Sequence, residues 1–165
     1  QLFHPDRLVF DLNIETEEEK EFSLYIRLPW WLQGEPVILV NGEAVDVLTA
    51  KSTKDGFVEI RRVWKQDRVH VELPKGIYVD YLPGREDMAA YMDGPVTLAG
   101  LCSEERSLYV DRQKPEEALV NDNEREWGYW QNTYKTTGQD RGIRFMPLWQ
   151  IGYEEYQVYF PLRQK

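Results

Sequence analysis

The chain has very few residues that bind soft metal ions or form cross-links. Its 165 residues include one cysteine, Cys102, and two histidines, His4 and His70. A single cysteine excludes a disulfide within the chain and a zinc site built from several cysteines. The two histidines lie far apart in sequence and are too few to form a metal site with one cysteine. We therefore expect no metal site and no cofactor in this chain.

The chain also lacks an excess of positive charge and any long apolar run. It has 20 Lys and Arg residues against 29 Asp and Glu residues, which gives a formal net charge of -9 at pH 7. This balance repels phosphates and argues against nucleic acid and membranes as partners. No apolar stretch is long enough for a signal peptide or a membrane span, so we expect a soluble chain of the cytoplasm or periplasm. Because the sequence begins with Gln1 and not with methionine, we expect a piece of a longer protein.

Alternating apolar residues, the pattern of half-buried strands, dominate the chain. Leu8, Phe10, Leu12 and Ile14 form the first such run, and similar runs recur as far as Pro161. A period of two predicts strands that bury one face. Many short strands separated by turn signals predict an all-β fold, namely an antiparallel β-sandwich or a jelly-roll-like arrangement.

Turn sequences divide this pattern into segments. Asn41-Gly42 is the preferred pair for a two-residue type I′ hairpin, because both central residues need positive φ. The segment from Val63 to Arg68 predicts a tight connection between two strands. Pro83-Gly84 predicts the boundary between two small β domains, residues 1–83 and 84–165.

Residues 103–142 are polar, and we expect a long loop there with one short helix that begins at Pro115. Four aromatic residues cluster in this loop and are the candidate sugar-stacking residues: Trp127, Tyr129, Trp130 and Tyr134. Their rings offer flat apolar faces with a polar edge, which suits the C–H side of a sugar ring. The alternative is that these rings anchor the loop onto the sandwich or onto a missing domain.

Other chemically suggestive residues have simpler explanations. Cys102 follows an apolar strand and precedes two glutamates, which predicts a packed thiol with a raised pKa and not a nucleophile. Acidic pairs such as Glu104-Glu105 are expected by chance in so acidic a chain. Trp30-Trp31 predicts core or interdomain packing, with a sugar platform as the alternative, and residues 121–124 lack the ligand spacing of a calcium loop. We therefore predict no catalytic residue in this chain.

Four short phrases occur in a fixed order along the chain. They are Arg27-Leu28-Pro29-Trp30, Val40-Asn41-Gly42-Glu43, Val63-Trp64-Lys65-Gln66-Asp67-Arg68-Val69 and Asp93-Gly94-Pro95-Val96-Thr97-Leu98-Ala99-Gly100. Together they resemble the β-sandwich region that follows the catalytic barrel in the β-L-arabinofuranosidase-like glycoside hydrolases of family 127. A closing phrase, Tyr156-Gln157-Val158-Tyr159-Phe160, extends the resemblance over nearly the whole chain. Gln66 stands where the family usually has glycine, which predicts an altered turn.

The resemblance implies an architecture in which an (α/α)6 barrel precedes two β domains. In that family a cysteine nucleophile near a zinc ion and a glutamate acid/base lie on the barrel. No segment here is similar to the barrel, so no catalytic or metal residue is carried over. The resemblance thus implies the non-catalytic C-terminal part of a glycoside hydrolase acting on L-arabinofuranoside-type plant glycans. Its partner would be the barrel of the same polypeptide, and zinc would be confined to that barrel.

Two other functions remain open at this point. The chain is alternatively an independent carbohydrate-binding module, with carbohydrate as its partner. It is otherwise a protein-interaction β-sandwich, which predicts an exposed apolar patch and a homodimer.

Overall fold

The computed structural model describes residues 6–47, 56–122 and 133–165, and these are mostly β-strand. The chain divides into two compact units, Gln1–Gly76 and Ile77–Lys165. Short 3₁₀ helices at Pro115–Ala118 and Leu148–Gln150 account for the helical structure of the described ranges. No helix there has the length and apolar character needed to cross a membrane. The all-β fold expected from the alternating pattern is confirmed.

Residues 6–47 and 56–76 of the first unit form a four-stranded antiparallel sheet. Its strands are β1 (Arg7–Arg27), β2 (Val37–Val40), β3 (Glu43–Ala44) and β4 (Phe57–Pro74), in the order β1-β4-β2-β3. β1 and β4 pair along almost their whole length. A flat strand with the 18 residues of β4 would be about 60 Å long at ~3.3 Å per residue. Because Val58 and Leu73, near its two ends, belong to one buried core, the ribbon bends back on itself.

The bend coincides with an interruption of the β1–β4 pairing. Glu15 pairs with Gln66 and Lys20 pairs with Trp64, so residues 16–19 of β1 face Lys65 alone. Such a bulge bends a strand and increases its twist. The tight connection predicted from Val63 to Arg68 is wrong, because β4 continues through this segment. The bulge shifts the alternation of buried residues, and in the sequence this shift looks like a turn.

The hairpin predicted at Asn41-Gly42 is confirmed. Asn41 has φ 53° and Gly42 has φ 86°, the two positive values that a type I′ turn needs. The Asn41 side chain also binds β4: its Nδ2 donates to Asp67 Oδ1 (2.8 Å), and its Oδ1 accepts from the Arg68 backbone N–H (2.9 Å). The same Asp67 carboxylate accepts from the Lys65 N–H, and these bonds lower the pKa of Asp67. The turn residue therefore joins the hairpin to the neighbouring strand.

Replacing Asn41 with alanine should lower the free energy of unfolding by about 1–2 kcal/mol, because two hydrogen bonds are lost and alanine disfavours positive φ. Asn41→Gly is the matched control, since glycine keeps the φ and loses only the side-chain bonds. Urea unfolding followed by far-UV circular dichroism measures both. We expect a smaller loss for the glycine variant, and equal stability of all three proteins would contradict the assignment.

The described residues of the second unit form nine strands. They are β5 (Ile77–Leu82), β6 (Arg85–Asp93), β7 (Val96–Leu101), β8 (Leu108–Val110), β9 (Leu119–Asn121), β10 (Tyr134–Thr136), β11 (Arg144–Pro147), β12 (Tyr156–Gln157) and β13 (Tyr159–Gln164). The main strand order is β8-β13-β6-β7-β11-β10-β9, while β5 pairs with β6 and β12 with β7. All of these pairs are antiparallel except β8–β13.

The sheet of the second unit curls around one core. Leu108 and Val110 from β8, at one edge, are buried in the same cluster as Leu119 and Tyr134 from β9 and β10, at the other edge. Phe145 and Phe160 fill the centre, with ring centroids 5.1 Å apart. A single core that draws on both edges requires the sheet to fold over on itself, as in sandwiches and jelly rolls.

Two features of the second unit differ from the sequence expectations. The units divide between Gly76 and Ile77, whereas Pro83-Gly84 predicts a boundary after Pro83. Pro83 and Gly84 instead connect β5 to β6, with φ 78° at Gly84. Residues 103–142, expected as a loop, contribute β8, β9, β10 and the short helix that begins at Pro115. Short strands of about three residues carry too little alternation to be recognised in a polar segment.

Candidate functional site

A cleft at the end of β7 gathers several chemically active side chains of the second unit. The loop that follows β7 is fixed against β12: the Cys102 N–H donates to Glu155 O (3.1 Å), and the Arg106 N–H donates to Gln157 Oε1 (2.8 Å). Gln157 Nε2 returns a bond to Arg106 O (3.0 Å). The cleft has two adjoining parts, of 410 and 640 Å³, which share Cys102, Ser103, Glu104 and Glu155.

Cys102 is a packed thiol within this cleft. It lies against the core of the second unit, and its single S–H can donate to either Gly100 O (3.6 Å) or Gln157 Oε1 (3.7 Å). Burial raises the pKa of the thiol, and the charge of Arg106 offsets this in part. The upward direction agrees with the sequence analysis, although burial is the cause and not the neighbouring glutamates. A protonated donor thiol is the opposite of an activated nucleophile.

Four glutamates line the larger part of the cleft: Glu104, Glu105, Glu154 and Glu155. Backbone N–H groups lower the pKa of Glu154, and one of them, from Gly152, lies 2.8 Å from its Oε2. A glycosidase acid needs a raised pKa, so Glu154 has the wrong shift for that role. Tyr156 and Tyr159 stand partly exposed beside these carboxylates. The lining can therefore offer hydrogen-bond acceptors and ring faces to a polar ligand.

The structure places one of the four candidate sugar-stacking residues in the core. Tyr134 is only 4% exposed, and its hydroxyl hydrogen-bonds to the carboxylate of Asp93, which is buried as well. Burial, together with that carboxylate, raises the pKa of Tyr134. Its ring faces are covered by the core and cannot stack on a sugar. Trp127, Tyr129 and Trp130 lie outside the described residues, and sugar stacking by them stays a prediction.

Residues 121–124, which lack the ligand spacing of a calcium loop, are only partly described by the structure. Within them, Asp122 forms ion pairs with Arg144 (3.0 Å) and Lys135 (3.9 Å), while Asn123 and Glu124 lie outside the described residues. Among the residues that the structure describes, no group of three or more His, Cys, Asp or Glu side chains could hold a metal ion.

Large aromatic side chains are exposed on both units. Trp30 and Trp149 are each 74% exposed, and Tyr153 is fully exposed. Trp31, by contrast, packs against the core of the first unit. Core packing therefore applies to Trp31 alone, while Trp30 presents its indole at the surface.

A row of charged groups on the first unit was not anticipated from the sequence. We call it the charged ladder, and its members are Asp6, Arg7, Asp11, Arg68, His70 and Glu72. The His70 ring nitrogens contact Asp11 Oδ1 (2.9 Å) and Glu72 Oε1 (3.1 Å). Its sequence signal is the placement of Arg68, His70 and Glu72 at every second position of β4. The partners on β1 become visible only when the pairing of β1 with β4 is known.

These observations define the class of the chain as an all-β region with two curled antiparallel units. Comparison with known families is more specific. Residues 4–75, which cover almost all of the first unit, match the family model described as the middle domain of the GH127 β-L-arabinofuranosidases. The chain therefore contains a GH127-like region, and the resemblance to glycoside hydrolase family 127 is confirmed. None of the curated proteins matches the sequence.

Solved structures resemble the chain over nearly its full length. A GH127 β-L-arabinofuranosidase from Geobacillus stearothermophilus T6 superposes with a TM-score of 0.64 at 19% identity, covering 96% of this chain and 29% of that enzyme. A protein described as a glycoside hydrolase gives 0.60 at 16% identity, covering 96% and 30%. The GH127 β-arabinofuranosidase BT3674 gives 0.60 at 17%, covering 94% and 31%. At these identities the likeness shows a shared fold, and this chain spans less than a third of each structure.

Proposed function

We propose that this chain is the accessory β region of a GH127-type glycoside hydrolase and that it supports a catalytic barrel in the same polypeptide. The observation that carries the proposal is the match of residues 4–75 to the GH127 middle domain. The solved relatives add that the fold of both units occurs within proteins more than three times as long. In this proposal the catalytic cysteine, the zinc ion and the acid/base glutamate belong to the barrel, and the parent enzyme acts on β-L-arabinofuranosides.

The exposed aromatic residues favour an accessory role in which this chain packs against the barrel. Trp30 on the first unit and Trp149 and Tyr153 on the second present large apolar surfaces to solvent. Exposed aromatic groups of this size are typical of surfaces that contact another protein or domain, because burying them there gains free energy. We infer that these side chains contact the barrel.

The cleft beside Cys102 favours a second candidate function, carbohydrate binding. Tyr156 and Tyr159 provide ring faces next to glutamate side chains and Gln157, a combination that suits sugar hydroxyls. Binding there would add recognition of a glycan to the supporting role, and it does not need the aromatic residues at 127–130.

One sample of the chain tests both functions. Incubated with a chromogenic β-L-arabinofuranoside, it should release no leaving group, while the Geobacillus enzyme in a parallel assay should release it. Hydrolysis by this chain alone would overturn the accessory role.

Calorimetric titration with arabino-oligosaccharides tests carbohydrate binding. Tyr156→Ala should abolish the heat of binding. Tyr109→Ala, which alters another exposed tyrosine of the second unit, should leave that heat unchanged. Absence of heat at millimolar sugar would reject the carbohydrate-binding function.

A further inference from the structure

His70 in the first unit is held by a carboxylate at each ring nitrogen. Nδ1 lies 2.9 Å from Asp11 Oδ1, and Nε2 lies 3.1 Å from Glu72 Oε1. Ionised carboxylates can only accept hydrogen bonds. An imidazolium donates from both nitrogens, whereas a neutral imidazole donates from one and points a lone pair at the other carboxylate. Only the charged form of His70 can therefore donate a hydrogen bond to both carboxylates.

The groups around His70 also favour its charged form. On β1, Asp11 lies directly opposite His70 in the strand pairing, and on β4 its neighbours are Arg68 and Glu72. On β2, the residue opposite His70 is the apolar Leu39. Within the charged ladder the carboxylates of Asp6, Asp11 and Glu72 face the guanidinium groups of Arg7 and Arg68, so a charged His70 balances the signs.

The two carboxylates are themselves fixed by arginine. Arg68 binds Asp11 through two bonds, Nε to Oδ1 (3.1 Å) and Nη2 to Oδ2 (2.9 Å). Arg7 binds the second oxygen of Glu72 through Nη1 (2.7 Å). The two-point contact restricts the orientation of the Asp11 carboxylate, and the single contact from Arg7 leaves the other Glu72 oxygen facing His70. Asp11 and Glu72 are thus held in place to accept from His70, and they do not need to rearrange when it gains a proton.

We propose that Asp11, His70 and Glu72 form a pH-sensitive clamp that fastens β1 to β4 in the first unit. When His70 carries both ring protons, it donates to Asp11 on β1 and to Glu72 on its own strand, β4. The contact with Asp11 joins the two strands. When His70 loses one proton, one of the two contacts changes from attraction to repulsion. The proposal concerns the first unit alone and does not depend on the proposed function.

The direction of the pH effect follows from the shifts of the three groups. The hydrogen bond to Asp11, followed by that to Glu72, raises the pKa of His70 above its ordinary 6.5. Arg68 and His70 hold the pKa of Asp11 at about 2, and His70 and Arg7 lower the pKa of Glu72. A raised histidine pKa contributes stability that is complete below pH 6.5 and is lost as pH rises through the value in the folded protein. The first unit should therefore weaken as the pH rises above 6.5.

The proposal is tested by NMR titration of the histidine side chains, because the chain has only His4 and His70. His4→Gln leaves one imidazole signal, whose midpoint should lie above 6.5. Asp11→Asn and Glu72→Gln should each move that midpoint down, and both ring nitrogens should carry protons below it. Glu15→Gln, which removes a carboxylate of the same strand outside the clamp, should leave it in place.

A second measurement relates the titration to stability. The urea midpoint of the unaltered chain should fall as the pH rises from 6.5 through the NMR midpoint of His70, and part of this fall should be missing in His70→Gln. High salt should reduce the effect, because the His70 side chain is 26% exposed and its partners are screened by ions. A His70 midpoint at or below 6.5, or one that neither carboxylate variant moves, would overturn the proposal. The NMR arm decides the matter even where His70→Gln does not fold.

Discussion

Replacing Trp64 with alanine should destabilise the first unit by about 3–5 kcal/mol, the usual cost of removing a large buried aromatic side chain. Trp64 is fully buried in the core of that unit. Its indole Nε1 donates to the backbone oxygen of Phe22 (2.9 Å), and the Phe22 ring stacks on it with centroids 5.7 Å apart. The guanidinium of Arg62 lies 5.3 Å from the indole ring centre, which adds a cation–π contact. Alanine loses all three contacts and leaves a cavity beside the β1–β4 bulge.

The matched control is Val63→Ala, because Val63 is the adjacent residue of β4 and its side chain is exposed. It should cost less than about 1 kcal/mol, as surface substitutions commonly do. Hydrogen-exchange mass spectrometry resolves peptides of β1 and β4, and urea unfolding gives the total loss. Trp64→Phe should fall between the two, since the ring volume is partly kept and the bond to Phe22 is not. Equal exchange rates in Trp64→Ala and Val63→Ala would contradict the central packing role of Trp64.

Replacing Gly100 with alanine should destabilise the second unit by up to about 3 kcal/mol, near the upper end of the usual cost of overpacking. A Cβ at Gly100 would lie 2.6 Å from Cζ of Phe160 and 2.9 Å from Cζ of Phe145. Both rings are fully buried, so neither can move without disturbing the core. The clash is steric and not conformational, because Gly100 does not have positive φ.

Gly142→Ala is the control for this substitution. Gly142 also lacks positive φ, and an added Cβ would meet only Thr136 Oγ1 at an ordinary 3.8 Å. Its variant should unfold at nearly the same urea concentration as the unaltered chain. Thermal and urea unfolding of both variants measure the difference. If Gly100→Ala proved as stable as Gly142→Ala, the close approach of the two phenylalanine rings to β7 would be wrong.

The parts of the fold that local chemistry determines were predictable. Alternation located the strands, and Asn41-Gly42 located its hairpin, because backbone sterics act between neighbours in sequence. The length of β1 and β4 was not predictable, because the bulge at residues 16–19 shifts the alternation and imitates a turn. The parallel pairing of β8 with β13 was not predictable either, since it joins segments that are distant in sequence and leaves no local pattern.

In the candidate site, too, features set by neighbouring residues were predictable, and features set by distant residues were not. The packed state of Cys102 follows from its place after an apolar strand, and the sequence indicates it. Tyr134 is buried in a core built from distant strands, and its hydroxyl bonds to Asp93 at the end of β6. A cluster of aromatic residues in the sequence gives no sign of such partners. The charged ladder required the pairing of β1 with β4, because Asp11 and His70 meet only across the two strands. Pairing, and not composition, brings these side chains together.

The position of β13 determines when the second unit can finish folding. This strand lies between β8 and β6, and it adds Phe160 and Leu162 to the core. It also follows β6 and β8 along the chain, so during synthesis both of these strands emerge before it. Until Tyr159–Gln164 leave the ribosome, β6 and β8 each have an unpaired edge and the core lacks Phe160, one of its two central rings. We expect the nascent unit to be most prone to aggregation and most dependent on chaperones during that interval.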